Sequence, residues 1–234
     1  MTWEVDHLVV GAANLDEGAT WCRATFGAEP ASGGPHPLMG THNRLLAIGG
    51  SAFPRSYLEI IAIDPQAPPP GRPRWFDLDD AGVQNALALG PALLHWVARS
   101  TDLAADCIAL AALGIERGDL LAAERAAAQG LLRWRISVRA DGARLYGGAL
   151  PTLIEWSGAL HPAQALPQSG VELQKLSLSG LPEALRMRLP AGVDRIASDT
   201  GPALLAAFTT PRGTVELAGD VPHGTTKKAS HDGP

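Results

Sequence analysis

The sequence lacks the features that identify disulfide-rich, membrane-spanning and exported proteins. Only two of its 234 residues are cysteines, Cys22 and Cys107, and both fall in predicted helices. Nothing therefore indicates a disulfide framework, and we expect two reduced thiols, as in a cytoplasmic protein. No apolar run approaches the roughly 20 residues that cross a bilayer. The first ten residues carry acidic side chains where a secretory signal is positively charged, so we expect no export signal.

An excess of basic residues is also missing. The formal net charge is -5 and the pI is about 5.8, so the chain offers no positive field for nucleic acid or for an anionic membrane. Hydrophobic residues make up 46% and charged residues 18%, which is ordinary for a soluble globular protein and argues against disorder. The expected partner is therefore a small molecule, and the length allows one large domain or two small ones.

A first structural unit is predicted for residues 1–64. The β-branched run Val5–Val10 is typical of a buried strand. Asn14 and Glu17 have the spacing of a capping box that begins a helix, and Gly27 suits the left-handed residue that ends it. Two more strands are predicted over Asn43–Ile48 and Tyr57–Ile63.

A second unit, residues 91–160, repeats this plan. Leu93–Arg99 predicts a strand, an apolar stripe over residues 103–110 predicts a helix, and Gly114 ends it. Arg133–Arg139 alternates apolar and basic residues, as a half-buried strand does. The last strand is predicted over Thr152–Trp156.

The two units align on histidines. His7 precedes Leu15 by eight residues, as His95 precedes Leu103. Each unit also closes on a strand that carries one glutamate between apolar neighbours, and these glutamates are Glu59 and Glu155. A duplicated unit explains these matches together.

Three other segments flank or follow the repeat. Residues 65–90 form a connector with a short helix, stiffened by the prolines of Pro68–Gly71. Residues 171–219 are rich in predicted strands, but the opening strand Leu173–Leu178 has no histidine, so we interpret this segment as a degenerate third half-module that covers a sheet edge. The polar residues 220–234 predict a disordered tail.

Four polar residues stand in apolar strands, where an unpaired charge or dipole is costly. They are His7, Glu59, His95 and Glu155. Imidazole and carboxylate ligands together suit a divalent metal such as Zn, Ni, Mn, Co or Fe, and two ligands from each half would leave positions open for a substrate's adjacent oxygens. The alternative is structural: core histidines with hydrogen-bond partners and buried glutamates paired with arginines.

The strands around these residues resemble the ligand strands of the vicinal-oxygen-chelate superfamily, which includes glyoxalase I. The matching stretches are Asp6–Val10, Tyr57–Ile61, Leu94–Val97 and Leu153–Trp156. More narrowly, the pattern His-Pro-x-x-Gly-Thr-x-Asn within Gly33–Leu46, the pair Trp75-Phe76 and the later His161-Pro162 resemble glyoxalase-like domain proteins over roughly residues 3–218.

The resemblance implies an α+β fold in which tandem βαβββ modules form a curved mixed-sheet cleft, with the C-terminal strand-rich half-module added. It also implies, for the enzymes of the superfamily, a metal at the module interface. It does not fix a reaction, because members of the superfamily isomerise, epimerise, cleave rings, add thiols or only bind ligands.

Other residues are candidates for the same site. His36 lies in a Gly- and Pro-rich loop and suits a general base or a residue that supports the ligands, although a hydrogen bond that orders the loop explains it equally well. His161 is expected to border the cleft, whereas His42 has less support from the family pattern. Aromatic residues that wall a pocket or simply pack in the core are Trp75, Phe76, Trp96 and Trp156.

Two functions from different classes follow. The first is a metal-dependent lyase or isomerase of a small carbonyl or hydroxy-carbonyl compound, in which Glu155 or Glu59 transfers the proton and His36 assists. The second is a metal-free protein that binds or sequesters a small molecule, of the bleomycin-resistance kind. Two modules in one chain would complete a cleft in a monomer, and a homodimer is equally compatible.

Overall fold

The computed structural model describes residues 3–127, 130–197 and 201–221. The α-helices are α1 (Leu15–Phe26), α2 (Ala81–Leu89), α3 (Leu103–Ala111) and α4 (Pro162–Ala165). The strands are β1 (Glu4–Gly11), β2 (Ala31–His36), β3 (Thr41–Ala47), β4 (Tyr57–Ile63), β5 (Ala92–Arg99), β6 (Asp119–Ala127), β7 (Gly130–Val138), β8 (Thr152–Ser157), β9 (Glu172–Ser179), β10 (Val193–Ile196), β11 (Leu204–Thr210) and β12 (Gly213–Gly219).

Eight strands form one large mixed sheet in the order β2-β3-β4-β1-β5-β8-β7-β6. The central strands β1 and β5 are antiparallel, and each has a parallel outer neighbour, β4 and β8 respectively. The order of elements is the same on both sides of the centre: a strand, a helix and three strands in β1–β4 and again in β5–β8. The predicted fold class is therefore confirmed, while the exact module boundaries stay a prediction.

The sheet curves until its two edges approach each other. Arg125 on the edge strand β6 donates a hydrogen bond to Asn43 Oδ1 on β3 (3.3 Å), and its side chain also lies beside Gly34 on the other edge strand, β2. This curvature gives the sheet a concave inner face and a convex outer face. The inner face lines the cleft, so the side chains that point inward decide its chemistry.

Local signals explain how the first helix is placed. Asn14 caps α1 by accepting a hydrogen bond from the Glu17 backbone N–H (2.9 Å), and its amide donates to the Glu17 carboxylate (2.7 Å). Gly27 has φ 72° and ends the helix in the left-handed conformation that glycine adopts without strain. The predicted cap at Asn14 and the terminal glycine are thus confirmed, whereas Glu17 bonds the Asn14 side chain instead of the backbone N–H that a capping box uses.

The C-terminal segment packs against a face of the large sheet, not along an edge as predicted. Its four strands form a separate sheet in the order β10-β9-β11-β12. Apolar residues of β9 and β11 share one core with α1 and with the outer-facing residues of β1, β4 and β5, and Phe208 meets Phe26 edge to face with centroids 5.1 Å apart. A sheet with one apolar face buries it most fully against another apolar face.

A second core lies on the inner side of the large sheet. The connector contributes Phe76, Leu78, Val83 and Leu87 to it, so this segment closes one end of the cleft. Helix α2 matches the short helix predicted there. Among the described residues no helix is long and apolar enough to cross a membrane. Residues 222–234, most of the predicted disordered tail, lie outside the described residues.

Two strands of the large sheet were not predicted. His36 was placed in a loop, but it ends β2, which pairs with β3 across a register shift between Ser32 and Pro35. Asn43 Oδ1 accepts a hydrogen bond from the Gly34 N–H in this bulge (2.9 Å), and it occupies the space that a Cβ on Gly33 would need. This strand was not predicted because its sequence contains glycines and a proline, which are uncommon inside strands and more typical of loops. The other strand, β6, is an edge strand rich in alanine, which has little strand propensity.

Candidate active site in the cleft

The inner face of the large sheet and the connector line a cleft that is open to solvent. Its polar lining comprises His7, His36, Asn43, Tyr57, Glu59 and Arg125. Its apolar lining comprises Trp75, Phe76, Trp134, Ile136, Ile154, Trp156 and Pro162. A small number of polar groups set in aromatic walls is the composition expected of a small-molecule site.

Glu59 is the carboxylate at the centre of the polar lining. Strand β4 turns Leu58 and Ile60 outward into the core, so Glu59 between them faces the cleft, where its exposed fraction is only 5%. Asn43 Nδ2 donates to Glu59 Oε1 (2.6 Å). His7 Nε2 lies 3.6 Å from Glu59 Oε2, and His36 Nε2 lies 3.8 Å from Oε1. One amide and two imidazoles therefore surround this carboxylate.

His36 is held as a neutral imidazole. Asn43 Nδ2 donates to Nε2 (3.2 Å), so the proton is on Nδ1 and is donated to Thr41 Oγ1 (3.0 Å). Burial lowers the pKa of His36 to about 4, and Arg125 nearby acts in the same direction against the opposing effect of Glu59. The His-Pro-x-x-Gly-Thr-x-Asn pattern of the sequence therefore has a physical basis: its polar members bond to one another and to Glu59.

His7 is oriented by Asp6, the residue before it. Asp6 is 0% exposed, and its Oδ1 lies 2.7 Å from His7 Nδ1, which directs His7 Nε2 toward Glu59. Tyr57 stacks on the same ring with centroids 4.6 Å apart. A carboxylate that bonds the far nitrogen of an imidazole fixes both its orientation and its tautomer.

Asp6 is itself held by donors from distant parts of the chain. Trp156 Nε1 and His161 Nε2 each lie 2.9 Å from Asp6 Oδ2, and Arg99 Nη1 lies 3.2 Å from it. Burial raises the pKa of Asp6, but the hydrogen bonds from His161 and His7 outweigh it and hold the pKa well below its usual range. Asp6 is therefore ionised, and His161, expected to border the cleft, acts through it.

His95 lies on the inner side but is closed off from the cleft. Its Nε2 accepts the Thr152 backbone N–H (3.0 Å), so its proton is on Nδ1 and is donated to Gly148 O (3.1 Å). The ring of Phe76 covers it, with centroids 5.1 Å apart. Burial lowers the pKa of His95 well below its usual value, so the ring is neutral. Both nitrogens of this predicted ligand are engaged within the protein.

Glu155 faces away from the cleft. On β8 the inner-facing residues are Ile154 and Trp156, so Glu155 points to the outer side. There both of its oxygens accept from Arg135 Nη2 (2.9 Å each), its partner across the strand pair, and Oε2 also accepts the backbone N–H of Leu103 at the start of α3 (2.8 Å). The predicted equivalence of Glu155 and Glu59 is wrong.

The strand registers show which residue does correspond to Glu59. On the first side Glu59 pairs with Val9, two residues after His7. On the second side Thr152 pairs with Val97, two residues after His95. Thr152 thus occupies the second half's counterpart of the Glu59 position, and its hydroxyl lies 3.1 Å from His95 Nε2.

The four predicted ligands therefore do not fit a shared metal ion. Only His7 and Glu59 face each other, whereas His95 has no free ring nitrogen and Glu155 lies on the other face of the sheet. Within residues 3–127, 130–197 and 201–221, no group of three or more His, Cys, Asp or Glu side chains is arranged to hold a metal ion. The structure instead brings together His7, His36 and Glu59.

Several residues of this region were not predicted as site residues, among them Asp6, Asn43, Arg125 and Thr152. The sequence does contain a feature that could have identified Asp6, since an acidic residue inside an apolar strand needs partners. Asn43 had one as well, because it belongs to the motif that resembles the glyoxalase-like pattern. Nothing local marks Arg125 or Thr152, whose places depend on how the sheet curves and on the register of β8.

Comparison with known proteins agrees with this fold. The model of a family described as glyoxalase-like domain matches residues 5–191, and the chain belongs to that family. A search of curated proteins found no match.

Several solved structures are similar to this chain. A hypothetical protein from Staphylococcus aureus is similar with a TM-score of 0.53 and 14% identity, over 94% of this chain and 87% of that one. A variant of Streptomyces coelicolor methylmalonyl-CoA epimerase, in complex with 2-nitronate-propionyl-CoA, is similar with a TM-score of 0.41 and 20% identity, over 69% and 99%. The Mycobacterium tuberculosis methylmalonyl-CoA epimerase has a TM-score of 0.39 and 19% identity, over 67% and 89%.

Proposed function

We propose that the protein is an isomerase or lyase of a small carbonyl or hydroxy-carbonyl compound, and that Glu59 transfers the proton. The observation that carries this proposal is a buried carboxylate that faces the cleft between two imidazoles. A carboxylate next to a bound substrate is a suitable base for a carbon acid. Of the two glutamates that the sequence offered for this role, only Glu59 faces the cleft.

The proposed step moves one proton and one electron pair. Glu59 takes the proton from the carbon next to the carbonyl group, and the electrons of the broken C–H bond form a C=C bond while the carbonyl oxygen gains the negative charge. Arg125, whose guanidinium lines the cleft, is placed to stabilise that charge. Return of the proton to the neighbouring carbon or to the opposite face of the same carbon completes an isomerisation, whereas departure of a leaving group completes an elimination.

His7 and His36 position the base in this proposal. Neutral His36 accepts from the Asn43 amide and so orients it, and the same amide donates to Glu59 Oε1. His7, fixed by Asp6, places its Nε2 3.6 Å from Glu59 Oε2. A base fixed in one orientation loses less entropy when it reacts. The proposal assigns no step to a metal.

Proton exchange tests the proposal without knowledge of the final product. A panel of small ketones, aldehydes and 2-hydroxy-carbonyl compounds is incubated with the protein in D₂O, and deuterium at the carbon next to the carbonyl is followed by NMR. We expect exchange for at least one compound, and a loss of about 100-fold or more in Glu59→Gln, since a general base contributes roughly that factor. Exchange at the wild-type rate in Glu59→Gln would exclude Glu59 as the base.

A separate measurement tests whether the proposed lyase or isomerase depends on a metal. Elemental mass spectrometry of the purified protein gives the metal content, and His7→Ala removes the one predicted imidazole ligand that faces Glu59. Stoichiometric metal that is lost in His7→Ala would support a metal bound by His7 and Glu59 with ligands other than His95 and Glu155. Equal metal content in both proteins would place any metal elsewhere.

The second candidate function is binding without catalysis. The observation in its favour is the aromatic lining, which gives flat ligands four large ring surfaces: Trp75, Phe76, Trp134 and Trp156. Trp134 and Trp156 already contact each other, with centroids 5.4 Å apart. A compound that quenches tryptophan fluorescence with micromolar affinity, but never exchanges a proton, would favour this function over the first.

A further inference from the structure

We propose that a second pocket, beside the cleft, binds a small oxyanion such as a carboxylate or a phosphate group, and that Arg117 is its principal ligand. This Arg117 pocket is lined by Phe76, His95, Arg117, Arg139, Arg144 and Thr152, among others. The inference is independent of the proposed proton transfer, because neither Glu59 nor His7 nor His36 lines this pocket.

Arg117 is a buried cation whose hydrogen-bonding capacity is largely unused. Its exposed fraction is 4%, and Nη2 donates to Thr152 Oγ1 (3.2 Å). Nε and Nη1 are buried, and neither has a hydrogen-bond partner in the part of the chain that the structure describes. A guanidinium has five N–H donors, so most of those on Arg117 meet no protein acceptor.

The other arginines of the pocket differ in this respect. Arg139 pairs with Asp141 (Nη2 to Oδ2, 2.6 Å), and Arg144 pairs with Asp77 (Nε to Oδ2, 2.9 Å). For Arg117 no carboxylate of the described residues lies within the 4.0 Å of an ion pair. The charges of Arg139 and Arg144 are thus compensated by carboxylates, whereas the charge of Arg117 is not.

An uncompensated buried charge is unusual because removing an ion from water costs several kcal/mol. Burial lowers the pKa of Arg117 to about 10, yet the group remains protonated at neutral pH. His95 does not offset this charge, since both its ring nitrogens are engaged and the ring is neutral. An oxyanion would supply both the missing charge and the missing acceptors, and planar guanidinium matches carboxylate and phosphate oxygens well.

The pocket also has a defined relation to the cleft. Trp75 and Phe76 line both, so they form the wall between them. Phe76 and Asp77 have φ of 61° and 58°, a conformation that side-chain-bearing residues seldom adopt. The Phe76 ring packs against His95 and stacks on Trp75, with centroids 5.1 and 5.3 Å apart respectively.

Thermal unfolding with inorganic phosphate and with acetate tests the proposal. Each anion is titrated at constant ionic strength with sodium chloride, for wild type, Arg117→Met and Arg133→Met. Arg133 is the matched control, because it is exposed and pairs with Glu124 on the surface. We expect the melting temperature of wild type and of Arg133→Met to rise with at least one anion, as linkage requires of a ligand that binds the folded state. In Arg117→Met we expect the shift to vanish, with the apparent Kd raised about tenfold or more.

The two anions distinguish the possible ligands. A larger shift with phosphate assigns the pocket to phosphorylated compounds, and a larger shift with acetate assigns it to carboxylates. The proposal is overturned by a wild type that shows no shift beyond the chloride reference, since water would then satisfy Arg117, or by a shift that persists unchanged in Arg117→Met.

A second variant covers the case in which Arg117→Met does not fold. Arg117→Lys keeps the charge and removes the planar fork, so we expect binding about tenfold weaker by isothermal titration calorimetry, the equivalent of one charge-assisted hydrogen bond. Wild-type affinity in Arg117→Lys, with the heat of binding unchanged, would contradict the assignment of Arg117 as the ligand.

Discussion

At the scale of single residues, the cleft depends on side chains whose protonation is set by burial and by hydrogen bonds. His36 is neutral because it is buried, and Asp6 is ionised because hydrogen bonds from His161 and His7 outweigh the effect of its burial. Glu59 lies between the two imidazoles that these bonds orient. The residues that orient Glu59 are therefore as important to the proposed chemistry as Glu59 itself.

The neutral state of His36 predicts a pH dependence of stability. Its pKa is about 4 in the folded protein and near 6.5 in an unfolded chain. Between these values the unfolded chain binds more protons, so the free energy of unfolding rises with pH and is lost as the pH falls from 6.5 toward 4. In His36→Gln we expect this loss to be less steep, by up to about 1.4 kcal/mol per pH unit.

Urea unfolding at pH 7, 6, 5 and 4.5 measures this slope in both proteins. His95, whose pKa burial also lowers, keeps part of the pH dependence in the variant. Identical slopes for wild type and His36→Gln would mean that His36 is protonated in the folded protein.

At the scale of secondary structure, a period of two along each strand decides which side chains meet in the cleft. Apolar runs, caps and glycines in the sequence predict α1, α3 and most strands of the large sheet. These sequence patterns do not predict toward which face of the sheet a side chain points when both faces are buried. Glu59 and Glu155 have similar neighbours in sequence, but only the register of β8 shows that Thr152, not Glu155, takes the position that corresponds to Glu59, beside His95.

The partners of these site residues are brought together by contacts between distant parts of the chain. Local sequence patterns contain little information about such contacts. Arg125 reaches Asn43 because the sheet curves until its edges approach. Asp6 meets His161 because the chain returns 155 residues later. Such contacts follow from the tertiary fold, so local patterns indicated the candidates His7, His36 and Glu59 but not their partners.

Glu155→Gln tests the outward orientation of Glu155. Glu155 accepts from Arg135 and from the first N–H of α3, and the side chains of this ion pair are partly exposed, 24% for Glu155 and 43% for Arg135. We expect the free energy of unfolding to fall by about 1 kcal/mol, because a charge at a helix N-terminus and a partly exposed ion pair each contribute less than that. Chemical denaturation measures it, and an unchanged stability would mean that neither bond matters.

At the scale of the whole molecule, one core joins the two sheets. The inner strands of the small sheet pack with α1 against the outer face of the large sheet, and the cleft lies on the opposite face. The small sheet therefore supports the site from behind, without lining it.

Phe208→Ala tests whether the small sheet and the large sheet unfold together. Phe208 is fully buried on β11 and meets Phe26 of α1. We expect a loss of about 3–5 kcal/mol in the free energy of unfolding, the usual effect of truncating a buried phenylalanine, with one transition by circular dichroism and by tryptophan fluorescence. Two separate transitions would show that the small sheet is an independent unit.

The central claim is that Glu59 is the base and that the cleft is the site of reaction. The most direct measurement compares the rate of deuterium exchange into one responsive carbonyl compound for wild type, Glu59→Gln and Glu155→Gln. The two variants make the same chemical change on opposite faces of the sheet, so Glu155→Gln controls for the loss of a carboxylate. The account predicts a rate about 100-fold or more lower in Glu59→Gln and near the wild-type rate in Glu155→Gln. A large loss in Glu155→Gln with exchange retained in Glu59→Gln would contradict it.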